Sequence, residues 1–195
     1  MRPVKRGMPI MKLYHTGFDE IKNPDIHRGR KNADFGRGFY LSPDIDFSYR
    51  WAEVRKDCDT YINTYELSLE DLKVKELSRD EEWFEYVFAN RNGKEDMYAD
   101  CDVIIGPIAN DTIYDLFGIT TSGFLSNDQA LKILTYGPVY MQVAIKTEKG
   151  ASALKFTGAE VIEKRSVEDS LNKLKSEEEK YLKELSELIE EIMAE

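Results

Sequence analysis

Cysteine and histidine are scarce in this chain, with two of each among 195 residues. Cys58 and Cys101 show no metal-ligand spacing, and His15 and His27 are too few to complete a zinc site with them, so no structural metal is expected. Two lone cysteines far apart also predict reduced thiols rather than a disulfide framework. Long apolar runs are missing too. No stretch suffices to cross a bilayer and no signal-peptide core stands at the N-terminus, which predicts a soluble, cytoplasmic protein without a membrane partner. Basic excess is lacking as well. A net charge of -10 argues against an extended nucleic-acid track, because that mode of binding needs a basic face to neutralise phosphates.

Hydrophobic residues are nevertheless plentiful, at 42%, enough for the core of one domain of this length. The charge is unevenly spread. Arg28, Arg30, Lys31, Arg37, Arg50, Arg55 and Lys56 fall in one short region, whereas Glu177 to Glu179, Glu184, Glu187, Glu190, Glu191 and Glu195 crowd the tail. A compact anionic ligand at the basic region fits this contrast.

Residues 1–10 show no periodicity and read as a flexible N-terminal extension. A strand is expected over Lys12–Thr16 and another over Phe39–Ser42, separated by a polar, turn-rich loop from Asn23 to Arg37. Ser42 and Pro43 suit the start of a helix carrying Phe47, Trp51 and Val54 at helical spacing. Tyr61–Leu67 alternates as a strand, Asp80–Arg91 is an amphipathic helix, and Asp102–Pro107 is a short buried strand. Short helices are expected over Asn110–Phe117 and Asn127–Leu134, the second capped by Ser126 or Asn127.

Pro138–Lys146 alternates, with Val139, Met141, Val143 and Ile145 on a core face and Tyr140, Gln142 and Ala144 on a face that could wall a cleft. Two further strands are expected at Ala153–Phe156 and Glu160–Lys164. From Val167 an apolar stripe through Leu171, Leu174, Tyr181, Leu185, Leu188 and Ile192 predicts a long helix. It either packs on its own domain or associates with a second copy or a partner. Strands and helices are mixed without βαβ rhythm, so the expected fold is α+β, with a bent or split antiparallel sheet around a cleft.

The chemistry is expected around residues 29–42. Gly36-Arg37-Gly38 can adopt backbone angles closed to other residues and let main-chain N–H groups approach a phosphate, followed by Tyr40 as a flat ring on a strand. Three motifs then appear in order: Leu13-Tyr14-His15-Thr16-Gly17, Phe35-Gly36-Arg37-Gly38-Phe39-Tyr40-Leu41-Ser42, and Tyr140-Met141-Gln142-Val143-Ala144-Ile145. The series resembles the His-Tyr-Glu signature of ADP-ribosyltransferases of the diphtheria toxin and poly(ADP-ribose) polymerase branch. The run GRKNADFGRGFYLS, with IIGPIAND and TEKGASALKF, more closely resembles an uncharacterised bacterial and phage-borne family of that superfamily, found beside small antitoxin-like genes.

The resemblance spans roughly Met11 to Arg165 and implies a mono-ADP-ribosyltransferase, a toxin or effector. It would move ADP-ribose from NAD to a macromolecular acceptor, protein or nucleic acid, with a small antitoxin-like protein as partner. His15 would hold the adenine-side ribose, the Thr16-Gly17 backbone the nicotinamide amide, and Tyr40 and Trp51 the two faces of the pyridine ring. Arg30, Lys31, Asp34, Phe35, Gly36 and Gly38 would line the dinucleotide, with Arg30, Lys31 and Arg37 as the cations for its pyrophosphate. Gln142 stands where the branch has its glutamate.

Cleaving nicotinamide from ribose builds an oxocarbenium-like centre while the leaving group departs neutral, so the site must hold NAD in a strained pose and place hydrogen-bonding or negative character at the ribose hydroxyls. Gln142 can bond a hydroxyl but carries no charge. Slower chemistry and single-unit transfer are therefore expected, with Asp128, Asp111 or Glu148 as possible assisting carboxylates. A binding module without turnover, or an interaction protein working through residues 167–194, are the alternatives.

Overall fold

A computed structural model describes residues 10–53, 55, 57–109, 126, 129, 132, 133 and 135–194, without the side chains of Lys164 and Met193. The expected strand at Lys12 is β1, Met11–Gly17. It is followed by β2 (Phe39–Leu41), α1 (Ile45–Arg50), β3 (Thr60–Leu67), β4 (Val74–Glu76) and α2 (Glu81–Arg91). Then come β5 (Val103–Pro107), β6 (Met141–Ile145), α3 (Glu148–Ala153), β7 (Leu154–Ile162) and α4 (Lys164–Ala194).

The strands form two sheets, one ordered β1-β3-β7 and the other β2-β6-β5-β4. The first is antiparallel throughout, and the second is mixed because β4 runs parallel to β5. The architecture is α+β, with a long C-terminal helix. A bridge joins the sheets where Tyr14 of β1 and Ser42, just after β2, exchange two backbone hydrogen bonds of 2.9 Å.

Period-two alternation places the core. Leu13, Tyr65 and Leu67 from the first sheet meet Phe39, Leu41, Val103, Val143 and Ile145 from the second, so the main apolar cluster lies between the sheets. Tyr40, Ile104 and Ala144 point from the opposite face of the second sheet toward α2, where Phe35, Trp83, Tyr86 and Val87 form another cluster. Tyr14 and Ile62, on the outer face of the first sheet, pack with Ala52, Ile162 and Val167 at the start of α4.

Several local expectations are revised. The cap of α1 is Asp44, two residues beyond Ser42, and its carboxylate accepts from the amides of Asp46 and Phe47. Ser42 is held instead by its pairing with Tyr14. The helix ends at Trp51, and Val54 lies outside the described residues. The two strands expected after residue 153 are one, β7, because its pairing with β3 absorbs the Thr157–Ala159 interval through a bulge opposite Thr64 and Tyr65. Val74–Glu76, too short to stand out, becomes a strand by pairing with β5. The helix expected at Asn110–Phe117 lies outside the described residues. Of the stretch expected as a helix over Asn127–Leu134 only residues 129, 132 and 133 are described; the Ser126 hydroxyl accepts from Gln129 N while Gln129 Oε1 accepts from Ser126 N.

The C-terminal helix packs on its own domain. Val167 enters the cluster beside Tyr14, and Tyr181, Leu185 and Ile192 enclose Ile133, while Leu171 and Leu182 stay exposed. Among the described residues no helix is long and apolar enough to cross a membrane.

Glycines in the 29–38 loop are required by close backbone approach. A Cβ on Gly38 would stand 2.6 Å from the Ile145 carbonyl oxygen, whereas one on Gly158 would meet nothing within 4 Å. Gly38→Ala is therefore expected to cost about 2 kcal/mol or more through overpacking, and Gly158→Ala less than about 0.5 kcal/mol, as read by urea denaturation.

Candidate functional site

The loop before β2 is held by side chains from three directions. Asp34, only 8% exposed, is the focus. Its Oδ1 accepts from Arg91 Nε at 2.8 Å and pairs with Arg91 Nη2 at 2.6 Å. Its Oδ2 accepts from the Ala109 amide and from Gln142 Nε2, both at 2.9 Å. A buried carboxylate is tolerable only when donors replace its lost water, and four donor contacts do so here.

The neighbouring residues are clamped as well. The Tyr40 hydroxyl donates to Gly36 O at 2.7 Å and accepts from the Phe35 amide at 2.9 Å. Lys146 Nζ, almost fully buried, pairs with Asp96 at 2.8 Å and also donates to Phe35 O. Tyr86 donates to the other oxygen of Asp96 at 2.9 Å. Gly36 takes φ +72°, and a Cβ there would press on Lys146 Nζ and Asp96 at 3.0 to 3.1 Å. The glycine is thus explained by this turn. Because Phe35 N is bonded to Tyr40 and Gly36 N to Ala33 O, both amides are already used within the protein.

His15 lies on the other side of the second sheet. Its ring rests on Phe39, centroids 4.3 Å apart, at the rim of the cluster between the sheets. Nδ1 donates to the Tyr40 carbonyl at 2.7 Å, since that oxygen can only accept, which leaves Nε2 as the acceptor of the neutral ring. Burial holds its pKa below the usual histidine value, with the Tyr40 carbonyl working weakly in the opposite direction. Thr16, one step on, donates to Ser48 O of α1 at 2.6 Å. Burial also raises the Tyr40 phenol far above its ordinary range, reinforced by Asp34 and Asp96, so it stays a neutral donor.

The motif strands are therefore adjacent, in the spatial order β1, β2, β6, but the side chains divide. Tyr40 and Gln142 share the face toward α2, and His15 takes the opposite one. Among the described residues these three do not line one common cavity. Arg30, Lys31 and Arg37 are exposed, while Phe35 is wholly core.

A cavity of about 320 Å³ lies next to this network. Phe47, Arg50 and Trp51 of the α1 segment form one wall, Ala109 and Tyr140 the floor, and Glu177 and Tyr181 of α4 the far wall. Tyr140 stacks on Phe47 at 4.5 Å, and the Arg50 guanidinium sits 4.7 Å over the Tyr140 ring while pairing with Glu177 at 2.7 Å. Trp51, 37% exposed, stands edge-on to Phe47 at the opening. Ala109 and Tyr140 connect this cavity to Asp34 and Gln142: Ala109 N bonds Asp34, and Tyr140 lies two residues before Gln142 on β6. Flat aromatic walls with two arginines, Arg50 and Arg79, suit a planar ring carrying an anionic group.

Residues 11–156 match the model of a family described as "Protein of unknown function (DUF3990)". The chain belongs to this family. The match runs from β1 to the first residues of β7, so it includes the Asp34 network, Trp51 and Gln142 and leaves out α4. Neither a curated protein nor a solved structure matches the chain.

Sequence reasoning put Tyr140 on a cleft-facing side of its strand, and it does line the cavity, but it gave no role to Arg91 and no particular one to Arg50. Arg91 reads as the last basic residue of an amphipathic helix, and nothing local pairs it with a carboxylate 57 positions away. Arg50 was visible only as one of many cations, although it immediately precedes Trp51. Of the suggested assisting carboxylates, Glu148 is exposed and faces His27 at 3.4 Å, while Asp111 and Asp128 lie outside the described residues.

Removing the Asp34 carboxylate would take a shared buried acceptor from Arg91, the Ala109 amide and Gln142, so Asp34→Ala is expected to cost about 3 kcal/mol in denaturant unfolding. For His15, a folded-state pKa below the unfolded value of 6.5 means that the unfolded chain binds the extra proton first. Stability should therefore be complete above 6.5 and fall as the pH drops toward the folded pKa. NMR titration should find the His15 ring protonating below 6.5; protonation above it would contradict the burial argument.

Proposed function

We propose that this protein is an ADP-ribosyltransferase-like, NAD-dependent mono-ADP-ribosyltransferase, a toxin or effector that transfers ADP-ribose to a macromolecular acceptor and releases nicotinamide. The observation that carries the reading is the aromatic cavity at Trp51, bordered through Ala109 and Tyr140 by the Gln142 network on the strand next to Tyr40. In this reading Trp51 stacks on the pyridine ring, while Arg50 meets the pyrophosphate after exchanging its partner Glu177. The ring is cationic only while nicotinamide is attached, so stacking gains about 0.5 to 2 kcal/mol for binding and orientation more than for rate. His15, bonded to the Tyr40 carbonyl, holds β1 against β2.

A second reading is favoured by one specific observation: Gln142 carries no charge and its amide is committed to Asp34. Without a carboxylate at this point the site binds NAD or ADP-ribose and turns it over slowly or not at all.

Calorimetry with NAD, together with labelled NAD and cell extract, separates the two. A transferase gives binding, free nicotinamide and label on a macromolecule; a binding module gives the first alone; the absence of all three rejects both. Trp51→Ala is expected to weaken NAD binding about tenfold, corresponding to the upper range of ring stacking.

A further inference from the structure

The aromatic cavity has a second polar wall, made by Arg79, two residues before α2, and Tyr181 of α4. Both are tied to the segment that leads into β6. Arg79 Nη2 donates to Tyr136 O at 2.9 Å, and Nη1 donates to Gly137 O at 3.1 Å and to Pro138 O at 3.3 Å. The Tyr181 ring packs on the same backbone, so closely that a Cβ on Gly137 would stand 2.5 Å from its Cε2. One grip and one packing contact thus bring the guanidinium and the phenol to the same three residues.

Two polar atoms at this wall lack partners. Arg79 Nε and the Tyr181 hydroxyl are both buried, and neither has a hydrogen-bond partner. Tyr181 is only 8% exposed, and both side chains line the cavity. Such groups are few in folded proteins, because each has given up its water without return. The Arg79 charge also has no carboxylate to answer it among the described residues, since its three acceptors are neutral carbonyls. Arg50 differs, being paired with Glu177 at 2.7 Å. Burial holds the Arg79 pKa below the usual guanidinium range, with the Tyr181 phenol working the other way. Burial also pushes the Tyr181 phenol up, so its hydroxyl stays a neutral donor. An N–H and an O–H donor beside an unanswered positive charge fit an oxygen of an anionic group.

We propose that Arg79 and Tyr181 form an oxyanion-binding site in this cavity, which takes the carboxylate or phosphate group of a planar aromatic ligand. The donors are Arg79 Nε–H and the Tyr181 hydroxyl, and the rings of Phe47, Tyr140 and Trp51 receive the body of the molecule. The site does not require that the ligand be NAD. Tyr181 stands on α4, outside residues 11–156, so half of the site is supplied by a helix beyond the segment that matches the family.

Titrating the full chain with benzoate, phenyl phosphate and neutral benzamide, with NMR detection of the Arg79 Nε–H resonance, tests the site. An anion should move that resonance and benzamide should leave it in place; the tighter of the two anions identifies the group that is recognised. Benzamide binding as tightly as both anions, or an Arg79 resonance that no probe moves, overturns the proposal. Tyr181→Phe removes the hydroxyl alone. Its urea midpoint should stay the same or rise, because an unpartnered buried hydroxyl adds nothing to stability. Its affinity for the tighter anion should nevertheless fall about tenfold, the loss of one hydrogen bond to a charged group. Unchanged affinity in the folded variant rejects the assignment, and so does a marked loss of stability, which would give the hydroxyl a purely structural role. An unaltered protein that takes the anions but not NAD rejects the NAD reading and leaves this site standing.

Discussion

One buried carboxylate organises the loop before β2 and the elements packed around it. Asp34 belongs to no helix or strand, yet it joins Arg91 on α2, Ala109 after β5 and Gln142 on β6 through contacts of 2.6 to 2.9 Å. Burying a charge is costly, and the cost is offset only when every donor is in place at once. That requirement sets the loop, the helix and the two strands in one mutual arrangement. The polar network is consequently a device for specifying geometry more than for adding stability.

Tyr40 and Lys146 extend this principle to the residues that follow. Each binds backbone atoms of Phe35 or Gly36, so the glycine turn is positioned by side chains from β2 and β6 rather than by its own flexibility. The loop is preorganised, and its polar groups face protein rather than an open cradle. Beyond Ala109 lies the aromatic cavity, where Phe47, Tyr140 and Trp51 present rings and Arg50 and Arg79 present charge. A rigid network behind an aromatic pocket is a workable division between holding geometry and gaining contact area.

The acidic helix α4 gives the cavity its second side. Glu177 neutralises Arg50, and Tyr181 contributes both to the cavity wall and to the cluster with Leu185 and Ile192. The family match stops before this helix, so the wall it forms is an addition to the part of the chain that defines the family. The strongly acidic tail thereby acquires a structural meaning: part of its charge answers the basic region near residue 50.

Local patterns alone determined most elements. Alternation in Pro138–Lys146 marked β6 and its two faces, the apolar stripe after Val167 marked α4, and the apolar spacing of Asp80–Arg91 marked α2. These features are legible because hydrophobic period and capping chemistry act over a few residues. The importance of the 29–42 stretch was also legible from its glycines and aromatics. Which partners those residues have was decided by the tertiary structure. Asp34 meets an arginine 57 positions away and a glutamine 108 positions away, and His15 and Tyr40 fall on opposite faces because β1 and β2 join through Tyr14 and Ser42. Such pairings depend on sheet order and register, which no local spacing encodes, and a charged residue reveals its counterion only once both have left water.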